Sequence, residues 1–319
     1  MTTIWVYAEL DQQVPAPITA ELLACARQLG EPEAIALGPG AQAAATMLGE
    51  HGARRVHVSE DPAFAEYLAE PAVDALATMV EAGAPDLFLF GFTPDSRDVA
   101  ARLGARLGIG VISNAQEVTV EGEGITARVP YFGGAKVATF RAAKHPAIVL
   151  VRPKSYEASA VGGTAEVVEV ASQPDPASLR SHITDRVVEA GEQVKLEDAA
   201  VVVAGGRGLG GPEHFGLVED LAAALGGAPA ASRAIVDAGW VPYALQVGQT
   251  GKTIRPQVYI GAGISGAMQH TVGMKASRLI VAINKDPDAP ILKMADLGVV
   301  GDVLKILPKV TDAVRARKG

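Results

Sequence analysis

Residues 199–211 read AAVVVAGGRGLGG, and residues 256–270 read PQVYIGAGISGAMQH. Each stretch is a short apolar run that ends in the pattern G-x-G-x-x-G, with glycines at Gly206, Gly208 and Gly211 and at Gly261, Gly263 and Gly266. Glycine in such a loop lets backbone N–H groups approach a phosphate, and the helix that follows adds its positive end. The pattern predicts a dinucleotide-binding site. Tight turns that only connect a strand to the next element would show the same glycine spacing.

The two glycine loops start 55 residues apart, which is too close for two independent nucleotide domains. Parallel strands place the loops that follow them at the same edge of a sheet. We therefore expect the loops to be neighbours, so that one ligand touches both.

The N-terminal half alternates between β-branched runs such as IWVYAE and amphipathic runs such as ITAELLACARQLG. This alternation predicts an α/β domain with parallel strands and crossover helices, including a long helix from about Phe64 to Glu81. Residues 111–156 contain strand runs without a long helix, and we expect antiparallel strands there that turn the sheet into a mixed one.

The polar stretch 171–197 has early prolines and no sustained periodicity, so we expect the interdomain linker there. The predicted organisation is an N-terminal α/β domain over residues 1–190 and a C-terminal, doubly wound parallel-sheet domain over residues 198–319.

The composition excludes several classes of protein. The chain has 319 residues, of which 49% are hydrophobic, and a formal net charge of −8, so nucleic acid is not an expected partner. Residues 198–319 carry 13 basic and 10 acidic side chains, so the second half alone has the positive charge that favours an anionic ligand. The single cysteine, Cys25, lies in an apolar-periodic stretch and is expected to be a buried helix residue.

The first residues, MTTIWVYAELDQQ, lack a basic region followed by an apolar stretch, and no run approaches the length of a membrane span. We expect a cytoplasmic protein with no transmembrane segment. No metal site and no catalytic residue is predicted.

Polar residues between and after the loops are candidates for a ligand face. Ser232 and Arg233 stand at a predicted helix start, although capping and surface ion pairing are the alternatives. Ser265 is expected to cap the helix after the second loop, and His270 follows it with either a structural or a ligand-binding role. Asp286 lies 20 residues after Gly266, where a dinucleotide-binding fold places its ribose-binding acid.

Five blocks occur in order and together resemble the electron transfer flavoprotein alpha subunit. They are GGRGLGG at 205–211, ASRAIVDAG at 231–239, QVGQTGKT at 246–253, GAGISGAMQH at 261–270 and IVAINKDPDAPI at 280–291. PDLFLFG and DSRDVAARLGARLG give a looser match in the first domain. One position departs from the family pattern, because His214 stands where members usually have asparagine, and we assign it no role.

The resemblance implies that the second domain holds an extended FAD. The cofactor-binding residues it implies are Arg207, Ser232, Arg233, Gln246, Val247, Gln249, Thr250, Gly251, Gly263, Ile264, Ser265, Gly266, Ala267, Gln269, His270, Asn284, Lys285, Asp286, Asp302 and Val303. In this family Arg233 lies over the flavin, Thr250 approaches its N5 edge, and His270 approaches its O2 side. A cation and a donor in those places stabilise the negative charge that arrives with an electron.

The resemblance also implies a heterodimer with a beta subunit that packs on the first domain. Its transient partners would be dehydrogenases that donate electrons, such as acyl-CoA dehydrogenases, and a quinone reductase or other acceptor. Two alternatives stay open: a stand-alone NAD(P)-dependent dehydrogenase, and an assembly protein whose glycine loops are only structural. The dehydrogenase needs a proton-transfer pair, which does not stand out in the sequence.

Overall fold

The structure is a computed structural model that describes residues 2–11, 13–83, 85–122, 124–134, 136–170, 174–186, 196 and 199–318. The chain divides into two compact units, Met1–Val188 and Glu189–Gly319. Residues 171–173, 187–195 and 197 of the predicted linker lie outside the described residues. Residues 174–186 belong to the first unit, where the Ser181 carbonyl accepts a backbone hydrogen bond from Leu68 N–H at 3.0 Å.

The first unit contains strands and helices in alternation. Its strands are β1 (Thr3–Ala8), β2 (Leu10–Asp11), β3 (Val14–Pro15), β4 (Glu31–Leu37), β5 (Arg55–Ser59), β6 (Leu87–Gly91), β7 (Val111–Ala115), β8 (Glu117–Glu121), β9 (Gly124–Tyr131), β10 (Lys136–Arg141), β11 (Ala147–Val151) and β12 (Glu166–Glu169). Its helices are α1 (Ile18–Leu29), α2 (Ala41–Glu50), α3 (Ala63–Glu66), α4 (Glu70–Gly83) and α5 (Pro94–Leu107).

Seven strands of this unit form one sheet in the order β12-β5-β4-β1-β6-β11-β7, and every described pair in it is parallel. Strand β6, LFLFG, is buried along its whole length because helices cover both faces of the sheet. Cys25 is buried in helix α1, as predicted. The predicted α/β class is confirmed.

The mixed sheet expected for this unit is not what forms. Strands β8, β9 and β10 make a separate antiparallel sheet in the order β10-β9-β8, while β7 and β11 pair in parallel inside the large sheet. Consecutive strands joined by short turns pair with each other, so the meander completes its hydrogen bonds without extending the large sheet.

The long helix expected from Phe64 to Glu81 is two helices. Helix α3 ends at Glu66, because Tyr67 takes an extended conformation with φ −115° and ψ 157°. Pro71 then falls in the first turn of α4, where a missing N–H costs nothing. Apolar periodicity runs through both helices and so does not reveal the break between them.

The carboxyl ends of β1 and β6 meet where the strand order reverses, the place at which such sheets bind ligands. In this unit the crevice holds a protein carboxylate. The Ser96 hydroxyl donates to Glu9 Oε2 at 2.5 Å, and the Thr93 hydroxyl donates to the same oxygen. Thr93 also caps α5 by accepting a hydrogen bond from the Ser96 N–H at 3.2 Å. Glu9 thus accepts hydrogen bonds from both hydroxyl side chains at the start of α5.

The described residues of the second unit form six strands and five α-helices. The strands are β13 (Val201–Gly205), β14 (Ala228–Ser232), β15 (Gln246–Val247), β16 (Val258–Ala262), β17 (Leu279–Asn284) and β18 (Leu297–Val300). The helices are α6 (Gly216–Leu225), α7 (Arg233–Val236), α8 (Met268–Thr271), α9 (Pro290–Met294) and α10 (Val303–Lys318).

These six strands form a parallel sheet in the order β15-β14-β13-β16-β17-β18. This is the strand order of a doubly wound dinucleotide-binding sheet, with its reversal between β13 and β16. Apolar clusters pack on both faces of the sheet, as the near-continuous hydrophobic strands require. No helix in the described part of the chain has the length and apolar character needed to cross a bilayer.

Candidate dinucleotide site

The two glycine loops lie side by side at the carboxyl edge of the six-stranded sheet. Strands β13 and β16 are paired, with Gly205 opposite Ala262. Beyond that pair, the Gly206 N–H donates to the Ala262 carbonyl at 3.0 Å and the Gly208 N–H donates to the Gly263 carbonyl at 2.9 Å. The expectation that the loops are neighbours is therefore confirmed.

Glycine is required in both loops because their backbones touch. A methyl group on Gly208 would lie 2.6 Å from Cα of Gly263, and one on Gly206 would lie 2.5 Å from the Gly263 carbonyl oxygen. Gly263 also has a φ of +66°, a conformation that side chains with a Cβ rarely adopt. The close approach holds the two loops together at the reversal point, because the N–H groups of Gly206, Gly208 and Gly263 all donate to backbone carbonyls.

The second loop ends in a tight turn at Gly266, whose φ is +85°. A methyl group there would lie 2.4 Å from the Ile291 backbone nitrogen. The prediction that Ser265 caps the following helix is wrong: α8 begins only at Met268, its N-cap position is Ala267, and Ser265 remains exposed. Because α8 is a single turn, backbone N–H groups rather than a long helix dipole are what this loop offers to an anion.

Ser232 and Arg233 stand at the carboxyl end of β14, as expected for a helix start. Ser232 is buried and occupies the N-cap position of α7, but its hydroxyl makes no capping hydrogen bond. The Arg233 side chain is 62% exposed and its Nε donates to Asp237 at 3.0 Å, one turn along α7. The surface ion pair considered for Arg233 thus exists, and its guanidinium still faces solvent.

Residues 248–252 form a compact loop directly after strand β15. The Gln246 carbonyl accepts a hydrogen bond from Lys252 N–H at 2.7 Å, and Gly251 N–H donates to Gly248 at 3.1 Å. Gln249 N–H donates to the Gln269 carbonyl at 2.7 Å, which ties the loop to helix α8. The loop therefore brings Gln249 and Thr250, both exposed, to the residues that surround His270.

His270 is buried on α8, 7% exposed, and is paired with a residue that the sequence did not single out. The hydroxyl of Tyr259, itself 0% exposed, lies 2.7 Å from His270 Nε2. Burial lowers the pKa of His270 to about 4, against an opposing effect of the Val247 backbone, so the ring is neutral near pH 7. Its Nδ1 is buried with no hydrogen-bond partner of normal geometry in the described residues.

The end of β17 joins the second loop to the start of α10. Asn284 Nδ2 donates to the Ile264 carbonyl at 2.8 Å, while its Oδ1 accepts the Asp286 N–H at 3.0 Å. Lys285 lies 3.3 Å from Asp302. Although desolvation opposes it, the hydrogen bonds from Leu304 N–H and Lys285 hold the pKa of Asp302 below its usual value.

The remaining predicted residues fall into two groups. The side chains of Val247, Ile264 and Val303 are buried in the apolar clusters, so only their backbones are free to face a ligand. Asp286 uses its Oδ1 to accept the Asp288 N–H at 2.9 Å, so its carboxylate closes a local turn. Exposed residues at this edge are Arg207, Arg233, Gln249, Thr250, Ser265, Ala267, Gln269, Lys285 and Asp286.

Two family models match the chain in succession. Residues 4–175 match the electron transfer flavoprotein domain, and residues 195–275 match the electron transfer flavoprotein FAD-binding domain. The chain belongs to the electron transfer flavoprotein alpha-subunit family. The second match covers both glycine loops and His270, and its description agrees with the predicted cofactor, FAD.

Relatives of the same family align over nearly the whole chain. The chain is 43% identical to the electron transfer flavoprotein subunit alpha of Mycobacterium tuberculosis over 321 residues, with 100% of both chains covered. It is 38% identical to the subunit alpha of Paracoccus denitrificans, over 92% of this chain and 93% of that one. It is 36% identical to protein FixB of Clostridium saccharobutylicum, over 96% and 94%.

Two features of this edge fit FAD. The second loop suits a pyrophosphate, because the N–H groups of residues 264–267 donate to no backbone carbonyl in the described residues. The exposed Gln249 and Thr250, on the loop that is hydrogen-bonded to α8, offer polar groups to the same ligand.

Proposed function

We propose that this chain is the FAD-carrying alpha subunit of a heterodimeric electron carrier. In this proposal it receives electrons from flavoprotein dehydrogenases, such as acyl-CoA dehydrogenases, and passes them to a quinone reductase or another acceptor. The observation that carries the proposal is the hydrogen-bonded pair of glycine loops at the reversal point of the six-stranded sheet.

FAD, when bound, supplies the ring that accepts and releases electrons. The backbone N–H groups of the second glycine loop and the Ser265 side chain would hold its pyrophosphate, and Asn284 keeps this loop in place through its hydrogen bond to the Ile264 carbonyl. Arg207 and Arg233 are exposed cations at the same edge, and they would offset the negative charge that an electron brings. Ser232, Gln249, Thr250, Gln269 and His270 would contribute polar contacts.

The partner in this proposal is an electron transfer flavoprotein beta subunit. Arg233, at the start of α7, and Thr250, on the loop after β15, are both exposed, so a second chain is needed to exclude water from the flavin. We expect weak FAD retention when this chain is produced alone. Cytoplasmic location and a link to fatty acid β-oxidation are part of the same proposal.

Co-purification with the beta subunit tests the proposal. The complex should carry the visible absorbance of a flavin, lose it on denaturation, and bleach when a suitable dehydrogenase and its substrate are added. A colourless complex that does not take up added FAD would contradict the proposal. Tight, stoichiometric FAD in the isolated chain would contradict the need for the partner.

A further inference from the structure

A cavity of about 330 Å³ lies between helix α4 and the large sheet of the first unit. Its wall is mostly apolar and includes Ala75, Met79, Ala82 and Gly83 of α4 and Trp5 of β1. Helix α4 ends at Gly83, just before β6 starts, so the cavity lies near the amino ends of the strands, away from the crevice that holds Glu9. Its size and its apolar lining are those of small-molecule sites.

One polar group in this wall has no partner. Trp5 is 5% exposed, and its Nε1 is buried without a hydrogen-bond partner in the described residues. A methyl group on Gly83 would lie 3.7 Å from Trp5 Cζ2 and 3.9 Å from Cη2, so the indole edge beside Nε1 faces the cavity at Gly83. An indole nitrogen can only donate. Because buried donors are nearly always hydrogen-bonded, the Trp5 N–H requires an acceptor from outside the described residues.

The charges around the cavity decide which kind of acceptor fits. Glu169 is exposed at its rim, and the described lining contains no lysine or arginine. His57, also in the wall, lies with Nε2 2.9 Å from Oε2 of Glu33. A carboxylate ligand would therefore lose water beside two carboxylates with no cation in the wall to pair with it, which is unfavourable. A neutral carbonyl oxygen accepts the same hydrogen bond without that cost.

We propose that this cavity binds a small, neutral, mostly apolar molecule whose carbonyl oxygen accepts the Trp5 N–H. The Thr78 hydroxyl, also in the wall, donates to the Asp74 carbonyl at 3.1 Å and does not compete for the ligand oxygen. Met79 contributes a flexible thioether that packs well against an aromatic ring. The site uses residues of the first unit alone, so the inference does not depend on the proposed function.

The test uses the full chain with ¹⁵N in its indole rings. The chain has two tryptophans, Trp5 and Trp240, and a Trp240→Phe chain identifies the Trp5 signal. The probes are acetophenone, a neutral aryl ketone, ethylbenzene, which has a similar shape without the oxygen, and benzoate. Acetophenone should shift the Trp5 indole N–H signal in a saturable way, and benzoate should bind more weakly. No saturable shift with acetophenone would overturn the inference.

Trp5→Phe tests the hydrogen bond itself, because it removes the N–H from the wall. The two neutral probes differ in hydrophobicity, so the quantity to compare is the ratio of their dissociation constants, measured by ligand-observed NMR. Trp5→Phe should shift this ratio against acetophenone by roughly 2- to 10-fold, the range for one hydrogen bond. An unchanged ratio would overturn the inference.

A second variant tests the location of the site without touching the core. Ala82 is exposed on α4, so Ala82→Leu should fold normally and obstruct the cavity, weakening acetophenone binding. The matched control is Ala101→Leu, at an exposed alanine of α5 outside the cavity, and it should bind as the wild type does. Equal acetophenone binding by both variants would place the ketone elsewhere and overturn the inference, even if Trp5→Phe did not fold.

Discussion

The two parallel sheets of this chain have the same kind of strand reversal but treat it in opposite ways. In the first sheet the crevice between β1 and β6 contains the Glu9 carboxylate, which accepts hydrogen bonds from Thr93 and Ser96. In the second sheet the crevice between β13 and β16 is lined by the glycine backbones of two loops. The comparison teaches that a strand order offers a site, and that the residues after the strands decide whether a ligand or the protein fills it.

The largest expected effect comes from closing the second crevice. Gly263→Val should remove FAD from the complex, because its Cβ would lie 2.7 Å from Cα of Gly208 in a backbone with φ +66°. Positive φ costs about 1–2 kcal/mol and overpacking about 1–3 kcal/mol. Flavin absorbance per complex measures the loss.

Gly210→Ala is the matched control for that variant. Gly210 also has a positive φ, +85°, but no described atom lies within 4 Å of a methyl group there. It should lower stability slightly and leave FAD content close to wild type. Equal FAD loss in both variants would show that backbone strain, and not the contact between the loops, is what matters.

The next effect concerns acid stability of the second unit. The pKa of His270 is lowered to about 4 in the folded chain, so the unfolded chain takes up a proton first as the pH falls through about 6.5. The FAD-free chain should therefore lose about 3 kcal/mol of stability between pH 6.5 and pH 4 through this residue. Urea unfolding at several pH values measures the slope.

His270→Gln should flatten that slope, since glutamine does not titrate. The unsubstituted chain, measured in parallel, gives the reference slope. A slope that stays steep in the His270 variant would show that other groups cause the acid loss.

A smaller effect is expected when the first crevice is emptied. Glu9→Ala removes the acceptor of the Thr93 and Ser96 hydroxyls, and Ser96 is 0% exposed. Leaving buried donors unsatisfied should lower the free energy of unfolding by about 1–3 kcal/mol without changing FAD content. Glu81→Gln, at an exposed glutamate of α4, should have no effect. Loss of FAD in the Glu9 variant would contradict the assignment of FAD to the second sheet alone.

The smallest stability change is expected for Arg233→Ala. Arg233 and Asp237 are 62% and 58% exposed, so their ion pair should contribute less than about 0.5 kcal/mol to folding. The flavin reduction potential should nevertheless fall, because a cation beside the ring stabilises the reduced form. A flavin reduction potential equal to that of the wild type would show that Arg233 does not stabilise the reduced flavin.

The sequence predicts those parts of the structure that depend on local patterns. The glycine loops follow parallel strands, so their meeting at Gly206 and Gly263 could be predicted from the order of the elements. The start of α7 at Arg233 follows from the polar pair at the end of a strand. Buried Cys25 follows from apolar periodicity.

Contacts made by folded loops could not be predicted in the same way. Tyr259 and His270 meet because the turn at Gly266 reverses the chain between them, and no residue pattern reports that geometry. The hydrogen bond from Gln246 Nε2 to the Thr250 hydroxyl, 3.1 Å long, depends on the way the loop closes over Gln246 at Gly251. The same turn at Gly266 explains why Ser265 does not cap α8: the chain is not yet helical there.

The contact between the glycine loops has a consequence for how this family can change over time. Because Gly206 and Gly208 donate to the carbonyls of Ala262 and Gly263, an insertion or deletion in either loop displaces the other. The two segments must therefore be inherited as one unit, despite the 49 residues that separate Gly211 from Gly261. Lineages should accumulate length differences in the intervening region, between α7 and β15, while the length of both loops stays constant.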